Sequence, residues 1–355
     1  MRIVFGMRPD YLTNRGGDTF QMLKTKEYLE QDDETFVEII SSPDELDSKY
    51  DVLHIFNLQN CDFAYSMMQA AREKGIKVVL SPIVWRFGHS SYVNKLMRLT
   101  NSITIVKALQ PINVLFERFS VYKRKEKKQY ILGHCDMVLP NSDEEGEILR
   151  EQYGIDFHEM VVPNCIDVHL NEEHQDIQLP ENFVLQVGRI EPTKNQLCLL
   201  QAMMDHKEIP LVFVGKQNKI KKFYVDQLKK LAAIRGNTFF IEELPQTQLA
   251  QYYKAAAVHV LPSFRESPGL VTLEALFYGC NIVVSDERFC PIRYYKFDKL
   301  GYICDPYSAK SIENAVMRAY RDKKVCVRKD YFDFFSYQNA AKITREAYRK
   351  VIGQS

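Results

Sequence analysis

Ser263-Phe264-Arg265-Glu266-Ser267-Pro268-Gly269-Leu270-Val271-Thr272-Leu273-Glu274 sets two carboxylates eight positions apart around a Ser-Pro-Gly turn. The apolar run from Val258 to Leu261 before it reads as a buried strand that stops at Pro262. Leu270 to Phe277 has helical spacing, and Gly279 suits the C-terminal end of that helix. Glu266 then belongs to the loop and Glu274 to the helix it introduces. The amides of Gly269, Leu270 and Val271 at the helix start have no acceptor within the helix, and together with the macrodipole they attract an anion. An anion seat flanked by two carboxylates fits a sugar-nucleotide, with phosphate on the amides and hydroxyls on the glutamates.

A second segment makes the same demand. Phe183 to Val187 reads as a strand running into a turn at Gly188-Arg189, and Lys194 follows five positions after Arg189, ahead of a helix expected from Leu197 to Met204. Two cations so spaced after a strand could clamp a diphosphate, although a surface loop with solvated charges has the same composition. Lys216, after Val214-Gly215, could add a third cation, but a solvated lysine is the favoured reading there.

Gly188-Arg189 with Lys194, and Glu266 through Glu274, resemble the signature of the group-1 family of retaining glycosyltransferases with the GT-B fold. Gly16-Gly17 after the first strand, Asn141-Ser142, and Val162-Pro163-Asn164-Cys165-Ile166-Asp167 extend the resemblance from about residue 2 to 345. It is specific in the second half and looser in the first. The resemblance implies that Arg189 and Lys194 bind the donor diphosphate and stabilise charge on the leaving phosphate. It implies that Glu274 receives the ribose diol. It further implies that Glu266 faces the donor sugar, bonding a ring hydroxyl and favouring positive charge at the anomeric carbon. Gly188, Gly269, Leu270 and Val271 complete the donor seat, and Gly16 and Gly17 bring backbone amides to the donor phosphate or the acceptor; Arg15 beside them is not part of the motif. A two-carboxylate hydrolase would also use paired glutamates, but it leaves Arg189, Lys194 and the amide-rich turn unexplained.

In one place the chain departs from the family. Many relatives carry a histidine after the fourth strand, where this sequence has Ser81-Pro82-Ile83-Val84-Trp85. His54 reads as a packed strand-end residue, and His89 is the candidate acceptor contact. Retention without an evident nucleophile fits front-face substitution, as the family implies. Asp-x-Asp does not occur, so no carboxylate-bridged metal is indicated and the expected reaction needs neither metal nor cofactor. Ser/His/Asp elbows, P-loops and dinucleotide-binding glycine fingerprints are also missing from the sequence.

These groups require a scaffold, and strand–helix alternation supplies it. Runs at Ile3–Phe5, Val37–Ile40, Val52–Phe56, Val78–Leu80 and Met137–Leu139 precede a second set at Val184–Val187, Leu211–Val214, Thr238–Ile241, Val258–Leu261 and Ile282–Val284. Such alternation gives parallel sheets with ligands beyond the carboxyl ends of strands. The expected fold class is α/β, with two Rossmann-like domains facing a central cleft. Residues 1–168 form the acceptor domain and 169–335 the nucleotide-sugar domain, with 336–355 as a helix returning to the first. The polar stretch 171–180 reads as the linker.

At 355 residues and 46% apolar content the chain suits two soluble domains. No apolar run reaches the roughly 18 residues that span a bilayer, and a strand at Met1–Gly6 leaves no room for a signal peptide. The eight cysteines lack a Cys-x-x-Cys pair and read as reduced thiols of a cytoplasmic protein. A net charge of +1 gives no global indication of nucleic acid. Residues 85–128, however, hold ten Lys/Arg against two Glu, an excess of +8 interleaved with Tyr92, Phe116, Phe119 and Tyr122. That stretch could dock the first domain on an anionic membrane at the inner face of the plasma membrane. The reading is a retaining glycosyltransferase that takes a nucleotide-sugar, with uridine expected from family frequency. Its acceptor would be a hydroxyl on a carbohydrate or on a lipid-linked intermediate of polysaccharide or glycolipid assembly. A non-catalytic scaffold, a phosphorylase and a sugar-nucleotide epimerase stand as alternatives on the same fold.

Overall fold

Short β-branched and aliphatic runs build two parallel sheets. The computed structural model describes all residues except 14–15, 32–33, 87, 98–99, 101, 113–114, 116–121, 123, 168–178, 218–220 and 354–355. Arg15, Arg98, Phe116, Arg118, Phe119, Lys123 and most of the expected linker lie outside the described residues. Two compact units emerge. The first comprises Met1–Trp85, Val121–Asp167 and Asp330–Ser355, and the second Arg86–Ser120 and Val168–Lys329.

In the first unit β1 (Arg2–Gly6), β2 (Phe36–Ile40), β3 (Val52–Phe56), β4 (Lys77–Ser81) and β5 (Met137–Val138) pair in parallel in the order β2-β1-β3-β4-β5. The inner strands are apolar on both faces, as sheets covered on both sides require. Helix starts and stops follow local chemistry. For the helix Asp143–Tyr153, the Ser142 side chain accepts from the Glu145 amide, and Gly154 closes it in the left-handed region at φ 64°. The last helix, Tyr337–Val351, buries Tyr337, Ala341 and Tyr348 in the same core as Met22 and Leu29. Tyr348 Oη lies 2.6 Å from His54 Nδ1, and Ser81 Oγ lies 2.9 Å from its Nε2. His54 is thus a satisfied core group, and burial pushes its pKa down to about 3.

The second unit orders β6 (Val184–Val187), β7 (Leu211–Val214), β8 (Thr238–Ile241), β9 (Val258–Leu261), β10 (Asn281–Ser285) and β11 (Tyr302–Cys304) as β11-β10-β9-β6-β7-β8, again all parallel. Its core includes residues from an unexpected part of the chain. Tyr92, Val93, Met97 and Val106 are buried beside Leu197, Leu200, Phe264 and Phe289. The Tyr92 hydroxyl donates to the Val106 carbonyl at 2.7 Å, which ties the helices Gly88–Leu96 and Ile103–Ala108 together. Each such side chain gains about 1.5–3 kcal/mol by leaving water. The segment 86–120, expected in the first domain, therefore packs with the second unit.

Candidate functional site

Glycine geometry brings the loops after β6 and β7 together. Gly188 and Gly215 sit at φ 145° and 146°, and a Cβ on Gly215 would lie 2.2 Å from the Gly188 carbonyl oxygen. Backbones can approach this closely only where no side chain intervenes. The chain then enters a 3₁₀ turn at Pro192–Lys194, and Asn195 follows in the left-handed region at φ 61°. Side chains fix that turn. Gln186 Nε2 donates to the Lys194 carbonyl at 2.6 Å, and Gln196 Nε2 to the Arg189 carbonyl at 2.9 Å. Asn195 Nδ2 donates to the carbonyls of Pro262 and Pro306 at 3.0 and 2.8 Å.

The tie from Asn195 to Pro262 reaches the loop after β9, and a backbone bond from Phe264 N–H to Thr193 C=O at 2.8 Å joins the same two loops. As a result Lys194 Nζ stands 2.6 Å from Glu266 Oε1, with the two side chains 20% and 8% exposed. Another backbone bond, from Glu266 N–H to Phe289 C=O at 2.7 Å, holds the glutamate from the other side. The expected helix is found at Leu270–Phe277, preceded by Gly269 at φ 85° and followed by Gly279 at φ 76°. A Cβ on Gly269 would meet Leu261 at 2.9 Å and Glu266 at 3.4 Å. Leu270 and Val271 lie in its first turn, where amides have no acceptor within the helix.

Half-buried Glu274 is held by residues the motif did not include. Gln246 Nε2 donates to Oε1 and the Tyr253 hydroxyl to Oε2, both at 2.9 Å. Burial pushes this carboxyl up from its ordinary value, and the two hydrogen bonds pull the other way. Each oxygen keeps acceptor capacity for a further donor. Arg189 differs from Lys194: it is 70% exposed, and its guanidinium lies 3.4 Å from Glu191 Oε1. Lys216 is exposed on the loop after β7.

The remaining candidates fall elsewhere. Gly16 and Gly17 lie exposed in the first unit, at the start of the helix Gly17–Leu29. Near them Asp18 accepts from the Thr19 amide at 2.8 Å and from Asn57 Nδ2 at 2.9 Å. A pocket of about 390 Å³ in that unit is lined by Arg8, Asp10, Gln59, Asn60, Asp62 and Arg124, among others. Its cations are matched, Arg8 to Asp10 and Arg124 to Asp62, each at 2.6 Å. His89 belongs to the second unit. Its Nδ1 lies 2.8 Å from Tyr307 Oη, and its ring meets Phe289 edge-on with centroids 4.8 Å apart. Burial, then the nearby Arg288, pushes its pKa down to about 4.

The basic stretch 85–128 is divided between the two units. Residues 86–120 fall in the second unit and 121–128 in the first. Arg124 and Lys127 both pair with Asp62, and Lys107 lies 3.6 Å from Asp305. Ile105, Leu109, Ile112 and Leu115 are exposed. Among the described residues no helix is long and apolar enough to cross a membrane, and no three His, Cys, Asp or Glu side chains come together as a metal site. Six of the eight cysteines are buried free thiols; Cys135 is half-buried and Cys326 exposed.

Residues 169–331 match the family model described as glycosyl transferases group 1. Among curated proteins, the D-inositol 3-phosphate glycosyltransferase of Streptomyces bingchenggensis is 29% identical over 187 residues, 46% of this chain and 41% of that one. Its namesake from Paenarthrobacter aurescens is 25% identical over 258 residues, covering 66% and 62%. The matches thus span between 41% and 62% of these relatives' length. Among solved structures, sucrose-phosphate synthase from Thermosynechococcus elongatus superposes with a TM-score of 0.75 at 18% identity over all of both chains. Anabaena HepE in complex with UDP and glucose gives 0.66 at 14%, over 100% of this chain and 98% of that one.

Proposed function

We propose that this chain, whose residues 169–331 match the group 1 glycosyltransferase model and whose fold superposes on that of sucrose-phosphate synthase, is a glycosyltransferase that moves a sugar from a nucleotide-sugar to a hydroxyl acceptor with retention at the anomeric carbon. The observation that carries the reading is the Lys194–Glu266 pair at 2.6 Å beside the helix start at Leu270. A cation and helix amides suit a diphosphate, and a carboxylate against the cation suits the sugar attached to it. Arg189, exposed on the same turn, is free to swing onto the phosphates. Glu274 takes the ribose diol. A uridine donor is supported by the HepE structures in complex with UDP and glucose and with UDP-glucose.

The proposed step breaks the bond between the anomeric carbon and the phosphate oxygen, leaving the electron pair on the diphosphate. The acceptor oxygen bonds to the anomeric carbon on the same face, and its proton passes to the leaving phosphate. Lys194 and Arg189 stabilise the charge gained there, and Glu266 favours the positive charge on the sugar.

The acceptor is proposed to be a carbohydrate, free or lipid-linked, in a polysaccharide or glycolipid assembly step. The pocket with matched charges in the first unit supports an uncharged, hydroxyl-rich ligand. An anionic membrane surface on the cytoplasmic side remains part of the proposal. It is supported by the exposed Ile105, Leu109, Ile112 and Leu115 of the second unit, rather than by a basic face of the first. Cosedimentation with anionic vesicles that survives replacement of these four by Ser would refute that part. The catalytic reading is tested by donor hydrolysis without acceptor across a panel of nucleotide-sugars. Slow hydrolysis of one donor, with retained configuration in the product formed once an acceptor is present, is expected. Absence of binding and hydrolysis for every nucleotide-sugar overturns it.

A further inference from the structure

We propose that His89 is a positioning residue for the donor machinery, setting the Lys194–Glu266 pair through Tyr307 and Phe289. The proposal rests on the donor-site reading above. It departs from the acceptor contact expected of His89, because the half-buried histidine packs against Phe289 and Tyr307 of the second unit.

Two routes run from the imidazole to the pair. Along the first, His89 Nδ1 meets the Tyr307 hydroxyl at 2.8 Å. Tyr307 is buried, its ring packed on Phe264 with centroids 4.7 Å apart. The preceding residue, Pro306, offers its carbonyl to Asn195 Nδ2 at 2.8 Å, and Asn195 is the left-handed residue directly after Lys194. The second route starts at the edge-on contact of His89 with Phe289. The Phe289 carbonyl accepts the Glu266 amide at 2.7 Å. Phe264 links both routes, since its ring also meets Phe289 at 6.0 Å and its amide donates to Thr193, the residue before Lys194.

His89 sits on the helix Gly88–Leu96, which packs against the turn Pro192–Lys194 and whose Tyr92 and Val93 are buried in the core. The ring is therefore held on a rigid element. The Tyr307 hydroxyl is on a buried side chain, where a hydrogen bond is costly to leave unmade, so Tyr307 has one favoured place. Removing the imidazole frees Tyr307 and Phe289 together. Both loops then shift by tenths of an ångström, and a misplacement of about 1 Å can cost about 100-fold in turnover.

The variant is His89→Leu, assayed with the donor selected by the hydrolysis panel and with its nucleoside diphosphate as the binding probe. We expect kcat to fall about tenfold while affinity for the nucleoside diphosphate changes less than threefold. His89→Asn, whose amide can occupy the place of Nδ1, should recover most of that loss. A readout without turnover accompanies it: the coupling between Lys194→Ala and Glu266→Ala in denaturant unfolding should shrink by at least half in the His89→Leu background. Tyr307→Phe removes only the hydroxyl, should act in the same direction, and decides the matter if His89→Leu does not fold. Unchanged kcat and unchanged coupling in a folded His89→Leu protein overturn the proposal. A rise confined to the acceptor KM, with donor hydrolysis intact, overturns it in favour of an acceptor contact. Normal turnover in Lys194→Ala would instead refute the donor-site reading, and the coupling measurement would still judge His89.

Discussion

Lys194→Ala is the most informative single substitution, because the structure gives Lys194 two separable roles. Its ammonium lies 2.6 Å from Glu266 Oε1, and the side chains are 20% and 8% exposed. Exposed ion pairs contribute about 0–1 kcal/mol, whereas a hydrogen bond to a charged group contributes about 1.5–3 kcal/mol. With this burial the pair belongs in the second range. Lys194→Ala leaves a carboxylate largely out of water, so it should cost about 2–3 kcal/mol of stability. Glu266→Ala leaves an ammonium on a flexible stem that can reach solvent, so its cost should be nearer 1 kcal/mol. The double variant removes both charges and should cost about 1.5 kcal/mol less than the sum of the singles, well beyond the ~0.5 kcal/mol at which independent sites add. Denaturant unfolding of the four proteins measures that coupling. In donor turnover, loss of one charge-assisted bond to the phosphate should lower kcat/KM about 10- to 100-fold, with kcat falling too. Additive stability effects would show that the two residues do not act as a pair. Near-normal turnover in a folded Lys194→Ala protein would remove it from the diphosphate site.

Arg189→Ala should lower kcat/KM by a similar factor of about 10–100, yet leave the unfolding midpoint unmoved, since the side chain is 70% exposed with Glu191 at 3.4 Å; a stability loss matching that of Lys194→Ala would contradict this. Glu274→Ala should weaken binding of the bare nucleoside diphosphate, and Glu266→Ala should leave it nearly intact while depressing turnover; calorimetry giving equal losses would sink that division of labour. Acid should destabilise the fold through its buried histidines. Burial holds His54 and His259 down to about 3 and His89 to about 4, so below about pH 6.5 the unfolded chain takes up protons that the folded chain refuses. The contribution of these histidines is then full above pH 6.5 and falls by up to about 1.4 kcal/mol per pH unit per histidine toward pH 4. Buried Glu145, pushed up to about 8, works in the opposite direction and offsets one of the three. Denaturant unfolding at pH 7, 6 and 5 checks it: His54→Gln should flatten the slope by one histidine, and a flat profile in the parent protein would refute the argument.

Much of the fold was legible because parallel strands covered on both faces are continuous apolar runs. Val52–Phe56, Val184–Val187, Leu211–Val214, Thr238–Ile241 and Val258–Leu261 begin and end where the hydrophobic pattern does. The helix Leu270–Phe277 was equally clear, since Pro268 and Gly269 open it and Gly279 closes it. The strand Tyr302–Cys304 escaped notice: three residues between Gly301 and Asp305 are too short for a periodic signal. Of the candidate site, residue types and spacing gave the carboxylates and cations. They did not give the contacts among them. Lys194 and Glu266 are 72 positions apart, and their meeting depends on Phe264 N–H reaching Thr193 and on Asn195 reaching Pro262. Neither bond has a sequence signature. Nor do the supports of Glu274: Gln246 and Tyr253 share one face of the helix Gln246–Ala255, a spacing that ordinary packing also produces.

The stretch from 86 to 128 shows where a sequence pattern stops deciding. Among its described apolar residues, Tyr92, Val93, Met97 and Val106 are buried, and Ile105, Leu109, Ile112, Leu115 and Tyr122 are exposed. Helical spacing identifies a buried stripe but says nothing about which core receives it, because the apolar surfaces of two Rossmann-like units are chemically alike. Chain order argued for the first unit, yet the second unit's core takes the stripe. That choice also divides the charge. The cations from Arg124 onward stay with the first unit, where Asp62 neutralises two of them, while Ile105, Leu109, Ile112 and Leu115 go with the second. An excess of +8 along the chain is therefore shared between two units. The same division brings His89 from the first half of the chain to the loops of Lys194 and Glu266, which is why a histidine expected on the acceptor side can serve the donor side instead.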